Sequence, residues 1–187
     1  MKSDKKESAE SVEVLLKAGV SRKEIFQQLG GTDDLARIIA LVPSYENRKK
    51  YNRENLVLIV VLVYLALMKL VTSVATVASV GAPKYIILFA LLHVFLVLYL
   101  AVHVSRFRGW AYPLSGLICL YVIMMSLNRI ISEVQGVPLL VNILALLPLA
   151  AGTVLGFKLK KNLCPDVGFL GAKIDADGKY LFMNRAG

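Results

Sequence analysis

The feature that most constrains this chain is an apolar run from Leu56 to Leu70, which directly follows the basic segment at 48–53. A membrane helix needs about 20 mostly apolar residues to cross about 30 Å of hydrocarbon. Apolar runs of this length recur along the chain and predict spans at about Arg53–Ser73, Lys84–His103, Gly109–Asn128 and Pro138–Phe157. The sequence therefore predicts an all-α membrane protein with a four-helix transmembrane bundle.

The charge distribution indicates how this bundle is oriented. The chain is 57% hydrophobic and carries a formal net charge of +9, and many of its cations lie next to the predicted spans. Those on one side are Arg48, Lys49, Lys50, Arg53, Arg106, Arg108, Lys158, Lys160 and Lys161, against Lys84 and Arg129 on the other. Because cytoplasmic loops carry an excess of Lys and Arg, we expect a multi-pass protein of the bacterial inner (plasma) membrane with both termini in the cytosol.

The polar residues 1–47 are predicted to form a cytosolic helical segment ahead of the transmembrane domain, which spans 48–161. Apolar spacing and helix-stop glycines indicate three short helices in this segment. Ser21 and Glu24 have the spacing of a capping box, in which the two side chains satisfy free backbone N–H groups at a helix start. We therefore expect one of these helices to begin directly after Ser21.

Residues 15–30 resemble the first two helices of a helix-turn-helix unit. In that family the following helix enters the major groove and offers Arg, Asn, Gln or Lys to bases and phosphates. The corresponding helix here, Asp33 to Val42, offers only Arg37 together with two acids and apolar residues. We therefore predict a helical cap or docking module, and we do not expect a nucleic-acid partner.

The residues 162–187 are predicted to form a cytosolic tail with a β-hairpin. Asp177-Gly178 is a hairpin turn signal, because Gly accommodates a positive φ. The tail is too apolar to remain solvated, and we expect it to fold back against the bundle or the N-terminal helices through Phe169, Leu170, Tyr180 and Phe182. Asp175 and Asp177 lack the further oxygen ligands of a calcium loop, so we predict no metal site.

Ionisable and amide side chains inside or beside membrane spans are functional candidates, because they are costly to bury in lipid. Five of them are singled out as candidates: Lys69, His93, Arg129, Glu133 and Asn142. We expect Lys69 to extend to the outer interface or to pair with Glu133. Asn142 is expected to hydrogen-bond to Asn128 or Arg129.

His93 is expected near the bilayer midplane, about 14 Å from the start of its span at 1.5 Å per residue. A neutral imidazole at this depth needs a partner, and Ser115, Cys119 or Tyr121 of the third span lie at a similar depth. The simpler interpretation is a neutral core histidine whose hydrogen bonds are satisfied within the bundle, and the alternative is a role in gating or proton relay. Both cysteines, Cys119 and Cys164, are predicted to be free thiols.

Two further features concern how the helices pack. Gly152 and Gly156 form a small-xxx-small step in the fourth span, which lets helix backbones approach closely. This step predicts packing within one chain or, alternatively, a face for self-association. The stretch 72–80 is ambiguous, because it either lengthens the first span or forms an external loop.

The chain resembles a recurring group of small bacterial inner-membrane proteins with four spans. The resemblance rests on the order of four motifs: Leu-Leu-x-x-Gly-x-Ser-Arg-x-Glu at 15–24, Pro-Ser-x-x-x-Arg-x-x-Tyr at 43–51, Pro-Asp-x-Gly-Phe at 165–169 and Asp-Gly-x-Tyr-x-Phe at 177–182. It covers most of the chain. The resemblance implies a location in the membrane and no particular activity.

The sequence favours interaction over catalysis. It contains two histidines, no acid in the membrane core, no metal-ligand cluster and no Gly-rich phosphate loop, so the usual parts of an active site are missing. We therefore expect no enzyme and no cofactor, and predict a protein that binds lipid, another membrane protein or itself, as an immunity or accessory protein would. The alternatives are an oligomeric channel or transporter accessory, and a membrane-tethered regulator that uses the helix-turn-helix-like segment.

Overall fold

The computed structural model of the chain describes residues 11–80, 85–132, 139–167, 172–174 and 179–183. These described residues form helices and no β-strand. They fall into two compact units, which we name by composition. The polar unit comprises Met1–Asn52, Phe107–Gly109 and Lys160–Gly187, and the apolar unit comprises Arg53–Arg106 and Trp110–Leu159.

The polar unit begins with short helices, each stopped after two or three turns. They are α1 (11–17), α2 (Arg22–Gln28), α3 (Asp33–Leu41) and α4 (Tyr45–Lys50). The capping box at Ser21 and Glu24 is confirmed, and at α3 the Thr32 side chain accepts a hydrogen bond from the Leu35 N–H group. The first three helices were predicted; α4, which Ser44 caps, was not.

The tail of the polar unit packs on its N-terminal helices, which is one of the two locations predicted. The ring of Phe26 on α2 lies 5.5 Å from that of Tyr180 and 5.8 Å from that of Phe182, both edge-on. Of the predicted hairpin, the described residues show a single antiparallel bridge between Ile174 and Tyr180, followed by a 3₁₀ turn. Its turn, Asp177-Gly178, lies outside the described residues, as do Phe169, Leu170 and Asp175.

Long apolar helices make up the apolar unit: α5 (Asn52–Val80), α6 (Tyr85–Ser105), α7 (Ala111–Ser132) and α8 (Leu139–Leu163). Within the described residues, two segments are long and apolar enough to cross a membrane, Asn52–Ala75 and Ile87–Ser105. Ala111–Leu127 is a shorter apolar helix. The ambiguous stretch 72–80 continues α5 as helix.

The interior of the apolar unit differs from its outer face. Buried positions include Leu58 and Leu62 on α5 and Val97 and Leu100 on α6, whereas many equally large apolar side chains are exposed. The interior also admits small and polar residues, such as the fully buried Ser115. The helices therefore use only part of their apolar surface to contact one another.

Candidate functional site

The apolar unit contains a cavity of about 510 Å³ to which α5, α6, α7 and α8 all contribute. Its lining combines aliphatic side chains with a few polar ones. The lining residues are Tyr64, Leu65, Met68, Lys69, Thr72, His93, Tyr121, Val122, Met125, Ser126, Ala145, Leu146 and Leu149. A concave, mainly apolar site with a small number of polar groups is the usual form of a small-molecule site.

Lys69 and His93 mark the polar part of this cavity. Both residues also line a second cavity of about 270 Å³, together with Ser73, Phe89 and Ala90. The Nε2 atom of His93 is buried and has no hydrogen-bond partner in the described part of the chain. At 1.5 Å per residue, Lys69 lies roughly 17 Å from the Val80 end of α5, and His93 roughly 12 Å from the Tyr85 end of α6. The two residues therefore lie well inside their helices.

The expected partners of His93 are arranged differently from one another. Tyr121 lines the same cavity as His93. Ser115 instead donates its hydroxyl to the carbonyl of Ala111, at 2.8 Å, within its own helix. Cys119 lies against Gly152, where a Cβ atom would come 2.9 Å from its Sγ. Of the three, only Tyr121 shares a space with the imidazole.

The remaining predicted site residues are placed as follows. Glu133 lies outside the described residues, as do the side chains of Arg129 and Asn142. Gly156 lies against α7, where a Cβ atom would come 2.8 Å from the backbone nitrogen of Gly116. Gly152 and Gly156 thus contact neighbouring helices of the same chain.

One polar cluster that sequence reasoning missed connects three helices of the apolar unit. The Asn55 amide donates to the carbonyl of Val104, at 3.2 Å, and accepts a hydrogen bond of 2.8 Å from the Tyr112 hydroxyl. Both Asn55 and Tyr112 are buried. Asn55 closes a polar first turn, Asn-Arg-Glu-Asn at 52–55, so nothing in the sequence distinguished it from its polar neighbours.

In the polar unit, residues from separate motifs contact one another. The Arg22 guanidinium donates to Asp166, at 2.9 Å, and to the carbonyl of Val42, at 3.0 Å. The Asp166 side chain is fully buried, so the ion pair is shielded from water. Arg22 belongs to the first motif and Asp166 to the third. The motif residues therefore hold this unit together.

A second ion pair joins α4 to the first helix. Arg48, from the second motif, donates to Glu13 at 2.6 Å, and its guanidinium also lies over the Phe107 ring. Burial of the Glu13 carboxyl by itself raises its pKa, but the Arg48 hydrogen bond and charge outweigh this, so that the pKa lies below its ordinary value.

Burial raises the pKa of the Cys164 thiol to about 12. That thiol remains protonated at neutral pH and is a poor nucleophile.

The chemistry available in the apolar unit is binding through hydrogen bonds, one charge and apolar contact. Among the described residues, the cavity lining includes no carboxylate, and no group of three His, Cys, Asp or Glu side chains could hold a metal ion.

Comparisons with protein-family models, with curated proteins and with solved structures found no match to this chain.

Proposed function

We propose that this chain is a four-span protein of the bacterial inner membrane, with both termini in the cytosol, that acts by recognising another component of the bilayer. One observation carries the proposal. A group of large apolar side chains on α6 keeps 64–70% of its surface exposed: Leu88, Phe89, Leu92 and Phe95. Water would penalise such a face at about 25 cal/mol per Å², whereas lipid would not. Two helices of sufficient length and hydropathy support the same conclusion.

Recognition, rather than catalysis, is supported by the cavity. Its lining offers one ammonium, one imidazole and several hydroxyls among aliphatic side chains. These groups bind and orient a partner, but nucleophilic catalysis requires a hydroxyl hydrogen-bonded to an activating base, and the Nε2 atom of His93 makes no hydrogen bond to any described residue. The partner in this proposal is a lipid or another membrane protein, as for an immunity or accessory protein.

We also propose that the chain belongs with the small four-span bacterial proteins whose motif order it resembles. In support, the motifs account for specific contacts of the polar unit. Arg22 binds Asp166, Arg48 binds Glu13, and Tyr180 and Phe182 pack on Phe26. Because residues of different motifs contact each other in one unit, we expect proteins of this group to carry the motifs together.

Reporter fusions in a bacterial host test the topology. Alkaline phosphatase, which is active only in the periplasm, would be fused after residues 47, 82, 107, 135 and 165. We expect activity at 82 and 135 alone, because the five positions alternate between the two sides of a four-span protein. Green fluorescent protein, which fluoresces in the cytosol, provides the complementary readout. Phosphatase activity at 47 or 165, or the same side for two consecutive positions, would contradict the proposal.

The oligomeric channel or transporter accessory is the second candidate, and the position of Lys69 and His93 on both cavities favours it. A path through the protein would produce conductance in planar bilayers or tracer flux into vesicles. The recognition proposal expects neither, at protein densities at which a known channel is readily detected. Flux that disappears in Lys69→Met would replace recognition by transport.

A further inference from the structure

We infer that the cavity of the apolar unit binds a fatty-acid-like monocarboxylate, a single apolar chain with one anionic headgroup. Its carboxylate would lie at Lys69 and His93, and its chain among the aliphatic side chains further along the cavity. This inference rests on the proposed function, because the ligand would reach the site from the surrounding lipid. It deepens that function by naming a class of ligand.

The headgroup assignment follows from the two polar residues. Lys69 is the only cation among the described residues that line either cavity. It makes no ion pair with any described side chain. The Nε2 atom of His93, on the facing helix, is buried without a hydrogen-bond partner among those residues. A carboxylate satisfies both groups, because it accepts hydrogen bonds at two oxygens and neutralises the ammonium.

The chain assignment follows from the rest of the lining. Leu65, Val122 and Leu149 present aliphatic surface, and Met68 and Met125 add flexible side chains that adapt to a ligand of variable shape. Along α5 the cavity extends from Tyr64 to Thr72, which is roughly 12 Å at 1.5 Å per residue. The volume of about 510 Å³ is within the range of about 300–1,000 Å³ typical of small-molecule sites.

The size and charge of the ligand are limited by what else the cavity offers. Tyr64 already donates its hydroxyl to the carbonyl of Ala145, at 3.4 Å. The single Lys69 ammonium of the lining balances the charge of one carboxylate but not the two negative charges of a phosphate monoester. A phospholipid, whose phosphodiester also carries one negative charge, differs by its second acyl chain, so that the same space of about 510 Å³ would have to hold about twice the apolar volume.

The second cavity lies between α5 and α6 and shares two residues with the first. It is lined by Lys69 and His93 on one side and by Phe89, which keeps 66% of its surface exposed. The same two polar residues thus face both spaces. A carboxylate approaching between α5 and α6 would meet the ammonium before its chain enters the larger cavity.

A displacement assay on the full chain tests the inference. The protein would be purified in nanodiscs of zwitterionic phosphatidylcholine and titrated with 11-(dansylamino)undecanoic acid, with palmitate as the competitor. We expect saturable dansyl fluorescence that palmitate displaces. Hexadecanol, which has the same chain without the charge, should compete at least tenfold more weakly. This comparison uses the unmodified protein, so it does not depend on how a variant folds.

Variants assign the site. Lys69→Met should weaken binding at least tenfold, Lys69→Arg should stay within about threefold, and Ala145→Leu should weaken binding by filling the cavity while the charge remains. Lys161→Met, which removes an exposed lysine on α8 outside the cavity, is the matched control and should bind normally. His93→Leu should weaken binding less than Lys69→Met does.

Several results would overturn the inference. They are equal competition by hexadecanol, displacement of the probe by added phosphatidylglycerol as effectively as by palmitate, displacement by a quinone but not by palmitate, and unchanged binding in Lys69→Met. None of these results alters the reporter pattern that tests the four-span topology. Failure of the ligand assignment is therefore distinguishable from failure of the proposed function.

Discussion

In the polar unit Phe26 is 8% exposed and packs edge-on against the stacked rings of Tyr180 and Phe182, whereas in the apolar unit Phe89 and Phe95 are 66% and 70% exposed. The same residue type is thus buried in one unit and presented outward in the other. Burial of a large apolar side chain is favourable only where water is the alternative. The contrast is what the proposed membrane location predicts, because outward apolar side chains would then meet lipid instead of water.

The cohesion of the two units differs accordingly. The polar unit combines an aromatic core with charged pairs, of which Arg22 with Asp166 is the most buried. The apolar unit relies on close backbone approach at Gly156 and on the hydrogen bonds of Asn55. In lipid, packing and interhelical hydrogen bonds replace the hydrophobic effect as the source of association.

The largest expected effect tests the contrast directly. Phe26→Ala should destabilise the polar unit by about 3–5 kcal/mol, because it leaves a cavity in a core that water would otherwise stabilise. Phe95→Ala should change the stability of the detergent-solubilised protein by less than about 0.5 kcal/mol, because this side chain is mostly exposed. Hydrogen exchange of α2 and α6 would measure the two effects separately. Equal losses of stability in the two variants would show that the large apolar side chains of both units contribute to folding in the same way.

A smaller loss is expected from the buried ion pair. Arg22→Ala leaves the Asp166 carboxylate buried without its guanidinium partner, which should cost about 3 kcal/mol. Limited proteolysis of the segment 160–183 would report the loss as faster cleavage. The adjacent Lys23→Ala, which removes an exposed charge, is the control. If both variants were cleaved at the same rate, the pair would not hold the tail.

The next largest loss of stability is expected from disturbing the close helix contact at Gly156 in the apolar unit. A Cβ atom at Gly156 would meet the backbone of Gly116 and the carbonyl of Tyr112, both at 2.8 Å, and neither can move aside by changing rotamer. Gly156→Ala should therefore cost about 1–3 kcal/mol by forcing α7 and α8 apart. Unfolding in mixed micelles of dodecylmaltoside and sodium dodecyl sulfate measures this cost. Ala151→Leu, at an exposed position of the same helix, should be tolerated.

The smallest effect concerns pH and the first helix. Because the pKa of Glu13 in the folded protein lies below its ordinary value of 4.5, the Arg48 pair stabilises the fold above that pH. This stability is lost as the pH falls through the folded pKa. Glu13→Gln should remove this part of the pH dependence, which is worth less than about 1 kcal/mol at a partly exposed site. Thermal unfolding from pH 7 to pH 3 would measure it, and Glu46→Gln should retain the wild-type dependence.

The comparison also explains what could be predicted from the sequence. Helices were predictable in both units, because caps at Ser21 and Thr32 and long apolar runs are local signals. The pairing of Arg22 with Asp166 was not, since 144 positions separate the two residues and neither is unusual in its own segment. Counting residues from the ends of the predicted spans placed Lys69 and His93 inside their helices, but only the packing of α5 to α8 brings them to one cavity.

The discontinuous make-up of the polar unit has a consequence for synthesis. Its parts, Met1–Asn52, Phe107–Gly109 and Lys160–Gly187, leave the ribosome separated by the long apolar helices. At about 5–20 residues per second, roughly 7–29 s pass between the emergence of Arg22 and that of Asp166, which are 144 residues apart. During this interval Tyr180 and Phe182, which cover Phe26 in the folded unit, have not yet been synthesised. Nascent chains at this stage are therefore expected to be the ones that chaperones and proteases engage, and premature stop codons before Asp166 should yield protein that is inserted but rapidly degraded.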